Sequence, residues 1–138
     1  MKVNIGPYTD SDQEISVKIH PYDTWSMDYT LARIILPMLI QLKATKHGSP
    51  NVDPEEVPDE LKPSEKEIYN YQCNGVTDPK FHKRWNWVLD QMIYSFESKL
   101  ADDDVWMRFN LQEDIEKEQE RISNGFKLFG KYYESLWD

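Results

Sequence analysis

The sequence predicts a mainly α fold: a small three-helix bundle with an N-terminal β-hairpin and a long acidic, proline-rich loop. Three observations carry this. Apolar residues recur at helical spacing in three long stretches, 27–42, 81–96 and 122–136. Strand-like alternation is confined to the N-terminus. Five of the eight prolines, Pro50, Pro54, Pro58, Pro63 and Pro79, fall between the first and second helical stretches. The 138 residues suffice for one compact domain, 1–138, and are too few for two ordinary ones.

Residues 1–22 are expected to hold the hairpin. Val3 and Ile5 alternate with polar residues, as do Ile15, Val17 and Ile19, and the turn-forming GPYTDSDQ lies between them. Two strands alone are marginally stable, so this hairpin is expected to lean on a helix.

Residues 23–47 read as the first helix. Asp23, Thr24 and Ser26 are candidate N-caps. Met27, Leu31, Ile34, Met38 and Leu42 mark its expected buried face, with Ile35 and Leu39 widening it. Pro37 removes a backbone hydrogen bond and should bend the helix. Gly48 is the natural stop.

Residues 48–78 form the acidic loop, carrying Asp53, Glu55, Glu56, Asp59 and Glu60, with one helical turn expected near Glu65–Tyr71. Connections of this length are uncommon in compact domains.

Residues 79–137 supply two helices. Asp78 caps the first of them, and Pro79 takes its first position. Phe81, Trp85, Val88, Met92 and Phe96 form its stripe, broadened by Leu89 and Ile93. VWMRF, Val105–Phe109, is an apolar link after the break at Asp102–Asp104. The last helix begins with a solvated, charged half and ends on Ile122, Phe126, Phe129, Tyr133 and Leu136, with Trp137 extending that stripe. Gly125 and Gly130 cost about 1 kcal/mol each inside a helix, so a close backbone approach is expected at both.

Composition narrows the function classes. The net charge of −9 disfavours non-specific binding to a nucleic acid backbone. Cys73 is the single cysteine, which excludes an intrachain disulfide and a cysteine-based zinc cage. No stretch of signal-peptide character opens the chain, and the longest apolar run, Ile34–Ile40, is too short to span a bilayer. A soluble intracellular protein that does not engage membranes is expected.

No catalytic residue, metal site or cofactor is expected. His20, His47 and His82 are widely separated, and no nucleotide-binding or nucleophile motif occurs. The carboxylates at 113, 114, 116, 118 and 120 read as a solvated helix face. Trp85 and Trp137 read as core, whereas Trp87 points off the stripe and is open to solvent or covered by the long loop.

One cluster stands out. Lys43, Lys46 and His47 end the first helix, while Lys80, His82, Lys83 and Arg84 begin the second. Antiparallel packing would bring these ends together around a helix N-terminus, which attracts anions. Lys43, Lys46, His47, Lys83, Arg84 and Trp87 are therefore the candidate ligand-binding residues. His47 and Arg84 are expected near each other and near the acidic loop. The simpler reading is that these cations complement a helix dipole and the loop's carboxylates.

Three stretches, DTWSMDYTLARIILPMLIQLKATKHG, RWNWVLDQMIYSFE and RISNGFKLFGKYYESLWD, covering about half the chain, resemble a family of small uncharacterised proteins from large tailed bacteriophages. The resemblance implies expression in the host bacterial cytoplasm and carries over no activity and no site residue. The expected function is that of a small acidic phage accessory protein binding a host or phage protein. The alternatives are a small-anion or nucleotide binder, with or without enzymatic activity, using the basic helix ends, and a minor virion component.

Overall fold

The computed structural model describes residues 1–10, 12–101 and 112–138. The chain is mainly helical, with a two-stranded antiparallel hairpin at its N-terminus. The expected link Val105–Phe109 lies outside the described residues.

The hairpin pairs β1 (Lys2–Thr9) with β2 (Asp12–Lys18). Val3 stands opposite Val17 and Ile5 opposite Ile15, and the register shifts between Ile5 and Tyr8 around Gly6 and Pro7. Gln13 Nε2 donates to the Gly6 carbonyl at 2.9 Å, tying the irregular segment down. A 3-10 turn, Pro21–Thr24, leads into α1 (Met27–Thr45), which is helical through Pro37. The N-terminal ammonium pairs with Asp23 at 2.8 Å and joins the hairpin's first residue to that turn.

The central helix is α3 (Phe81–Leu100), and both other long helices pack on it. Ion pairs at both ends show that α1 runs antiparallel to α3: Lys43 reaches Asp90 and Asp28 reaches Lys99. The fourth helix, α4 (Gln112–Lys131), is also antiparallel to α3, since Ser95 bonds the Ile122 carbonyl at 2.8 Å while Trp85 meets Tyr132 edge-on at 5.7 Å. The expected α3 stripe is buried as read, joined by Leu89, Arg84 and Ser95. Ala32 and Leu39 of α1, Leu128 of α4 and Tyr132 complete the core with Val52 and Val57.

Two helices bury a different face from the one their periodicity suggested. In α1 the buried positions are Ala32 and Leu39, with Ile35, Leu36 and Leu42 packed beside them, while Met27, Leu31 and Met38 lie at the surface. Apolar residues surround much of this helix, so spacing alone does not single out the arc that meets α3. In α4 the buried set is Gly125 and Leu128, followed by Tyr132, and Phe126 is pushed to the flank. Gly125 explains the rotation. A Cβ there would lie 1.9 Å from Ser95 Oγ and 2.4 Å from the Gln91 carbonyl oxygen. The helices touch backbone to side chain at that point, and Phe126 and Phe129 stack edge-on against Phe96 beside it, both at 5.1 Å. The same expectation fails for Gly130, which has open space around its missing Cβ. Trp137 is also not core: α4 ends at Lys131, the chain turns at Tyr133–Ser135, and the indole is 75% exposed.

The connection from 48 to 78 is more structured than expected. Its two 3-10 turns, Pro54–Glu56 and Asp59–Leu61, are followed by α2 (Glu65–Asn74), a ten-residue helix rather than a single turn. Ser64 and Glu67 form a reciprocal capping box, and Gly75 closes the helix at φ 66°. Asp53 and Glu56 both pair with Lys131, and the Asp53 amide donates to the Tyr132 hydroxyl at 3.0 Å. These two carboxylates hold the Lys131 ammonium well above the ordinary lysine range, Glu56 more than Asp53. The acidic segment thus docks on the end of α4, where Val52 and Val57 insert into the core. Among the described residues, no helix is long and apolar enough to cross a membrane.

Candidate functional site

The hairpin is an element whose apolar surface the other described residues leave largely uncovered. Successive side chains in a strand point to opposite faces. Val3, Ile5, Ile15 and Val17 therefore share one face, and Lys2, Asn4, Ser16 and Lys18 share the other. The expectation that the apolar face leans on a helix is not met. Ile5, Ile15 and Val17 are 51%, 59% and 56% exposed, and the hairpin's contacts are made almost wholly between its own strands. Among the described residues neither strand has a second neighbour, so each presents an outer row of backbone groups that no described strand pairs. The turn end is acidic, with Asp10, Asp12 and Glu14, and Asp10 adopts a left-handed φ of 54°.

The basic helix ends are brought to one end of the molecule, as antiparallel packing requires. His82 Nδ1 lies 2.9 Å from Ser49 Oγ, just beyond the end of α1. Their side chains then separate. Lys43 is engaged by Asp90, and Lys46 reaches the Lys43 carbonyl at 3.4 Å. His47 is largely exposed and meets Asp138 through both its amide (2.6 Å) and its ring (2.8 Å), which holds the Asp138 carboxyl below its ordinary range. Lys83 is exposed, and Trp87 is half-buried against the core.

Arg84 points inward. It is 2% exposed and grips Asp78, itself 5% exposed, through both terminal nitrogens, while Nη1 also donates to the Leu61 carbonyl at 3.1 Å. The guanidinium holds the Asp78 carboxyl below its ordinary range, opposed by burial. Asp78 also accepts from the Lys80 amide at 2.9 Å, but Lys80 is the N-cap and α3 begins at Phe81, so Asp78 and Pro79 lie just ahead of the helix and not at its cap and first position as the sequence suggested. The pair clamps the long connection to α3. An anion arriving there would meet a guanidinium already neutralised.

Two cavities are present near these elements. The smaller, of about 100 Å³, lies between α2 and α3 and includes Arg84, Asp78 and Glu67. The larger is an apolar groove of about 760 Å³ between the second half of α1 and the end of α4, walled by Met38, Leu42, Phe129, Tyr133 and Leu136. Of the six candidate ligand-binding residues, only Arg84 borders either cavity. Among the described residues, no three His, Cys, Asp or Glu side chains gather as a metal ion would need.

No protein family, curated protein or solved structure matches this chain.

The hairpin surface escaped the sequence reading, although its residues did not. Alternation marked Val3, Ile5, Ile15 and Val17 as one face, but which neighbour covers that face depends on packing far from it in sequence. The groove was hidden because Met38 and Tyr133 both lie on stripes that spacing assigned to the core.

Proposed function

We propose that this chain is a small accessory protein that acts by binding another protein through its N-terminal hairpin. The long helices work together as a bundle that carries the hairpin, and the acidic connection braces that bundle. The observation that supports this reading most is the exposed apolar face of Val3, Ile5, Ile15 and Val17 on a hairpin with no third strand among the described residues. Two-stranded hairpins gain stability from a third strand or a packed surface. A partner supplies either one, by adding a strand at an edge or by covering the face.

The partner's chemistry follows from the charge. The turn end carries Asp10, Asp12 and Glu14, and the whole chain has a net charge of −9. A protein surface with an apolar centre and a basic border fits both features. In keeping with the resemblance to small proteins of large tailed bacteriophages, the proposed partner is a host or phage protein in the infected bacterial cytoplasm.

The test is quantitative affinity capture from phage-infected cells, with wild type compared against Ile5→Glu/Ile15→Glu. Both substituted residues are exposed, so the variant should keep the helical circular dichroism of the wild type. A specific basic protein depleted at least tenfold with the variant is expected. Equal recovery of every captured protein by the two forms would refute the hairpin as the docking surface.

A further inference from the structure

We infer that the outer edge of β2 pairs with the same edge of a second copy of this chain, antiparallel about a two-fold axis at Ile15. The product is a four-stranded sheet with the two β2 strands at its centre. The inference goes beyond the capture of another protein, because it concerns a strand edge and leaves the apolar face of the hairpin to that partner. The two edges of the hairpin are not equivalent. Pro7 lacks an N–H, and the register shifts between Ile5 and Tyr8 with the extra residue on β1, so β1 is a broken template for a further strand. β2 runs for seven residues, DQEISVK, with no proline or glycine, and each of them but the half-buried Gln13 is exposed. No described strand pairs with that edge.

The edge is self-complementary. Reversal about Ile15 sets Asp12 opposite Lys18 of the other copy, Gln13 opposite Val17, Glu14 opposite Ser16 and Ile15 opposite itself, using all seven residues. Lys18 carries the strongest signal. Within its own hairpin it stands directly across from Lys2, and like charges so placed repel. Among the described residues no ion pair engages Lys18, Asp12 or Glu14. The Asp12 carboxylate of a second copy supplies the missing counter-charge, and the two-fold axis repeats the contact. Glu14 faces a serine, which keeps the two Glu14 carboxylates a diagonal apart. Neighbouring registers fit less well: an axis at Glu14 opposes two carboxylates, and an axis at Ser16 pairs only five of the seven residues. In the paired sheet Val3, Ile5, Ile15 and Val17 of both copies lie on one face, doubling the surface open to a partner. Four strands with an apolar face are also a sturdier unit than two. The same edge serves both copies, so the assembly closes as a dimer and covers both β2 edges. A seven-residue edge buries less than the roughly 1,600 Å² of a standard interface, so the dimer is weak.

Sedimentation of the purified full chain at low salt, from micromolar to millimolar concentration, is the first arm. Wild type is expected to dimerise in the upper part of that range. Asp12→Lys and Lys18→Asp should each raise the dissociation constant at least tenfold. An equimolar mixture of the two should restore it to within threefold of wild type, because each copy then offers the charge the other lacks. Cysteine cross-linking in a Cys73→Ser background is the second arm and needs no change of charge. Ile15→Cys should link to itself under mild oxidation, and faster than Ser16→Cys does. Both arms use the chain without a partner, so their outcome is separate from that of the capture experiment. A monomer at every concentration, single variants that dimerise as wild type does, a mixture no stronger than its components, or faster self-linking by Ser16→Cys would each overturn the inference.

Discussion

Removing the Arg84 side chain would strand the Asp78 carboxylate inside the protein. Both partners are almost fully buried, and the guanidinium also holds the Leu61 carbonyl. Breaking a buried pair from one side costs about 3–5 kcal/mol, several times the worth of an exposed pair. Arg84→Ala should therefore lower stability by about that amount in chemical denaturation, well beyond the modest loss that a surface cation would give. Replacing both partners with apolar side chains of similar size should cost much less. The pair also sets a pH dependence. Asp78 titrates lower in the folded chain than in the unfolded one, so its contribution is complete above the ordinary carboxylate range and fades as pH falls through the folded value. Stability measured from neutral to acid pH should drop in that window, with a shallower drop in Asp78→Asn. Sequence alone marked Asp78 as a cap and Arg84 as part of a basic cluster. It did not show that they join, because the contact depends on how the long connection returns to α3.

Among the elements, α3 was the most legible and α1 the least. In α3 large apolar residues fall on one stripe between polar residues, so only one face can be buried. In α1 the run Ile34–Ile40 is apolar almost all round, and contact with α3 alone decides which arc is covered. The connection held an overlooked signal: Ser64 followed three residues later by Glu67 is a capping box, and Gly75 is the matching stop. Surrounding prolines and carboxylates masked it. The two glycines of α4 separate contact from mere composition. Gly125→Leu should destabilise by about 1–3 kcal/mol, because neither the Gln91 backbone nor Ser95 can move away without opening the α3–α4 contact. Gly130→Ala should instead stabilise by about 0.4–1 kcal/mol, since its surroundings are open and its φ is not positive. Thermal unfolding of the two variants should shift in opposite directions.

The molecule as a whole divides into a packed helical body and a hairpin whose apolar face the other described elements leave exposed. The body has Trp85, Leu89 and Met92 buried at its centre and ion pairs along the antiparallel contact of α1 with α3. The hairpin has its own cross-strand pairs, the Gln13 side-chain bond and the link from the N-terminal ammonium to Asp23. Regions with few buried apolar contacts open locally at much lower free energy than the global transition. Native-state amide hydrogen exchange of the isolated chain reads this difference directly. The amides of Val3–Ile5 and Ile15–Val17 should exchange orders of magnitude faster than those of Val88–Met92, and should slow when the captured partner is added. Hairpin amides as slow as those of α3 in the isolated chain would contradict the account, since the apolar face would then already be covered from within.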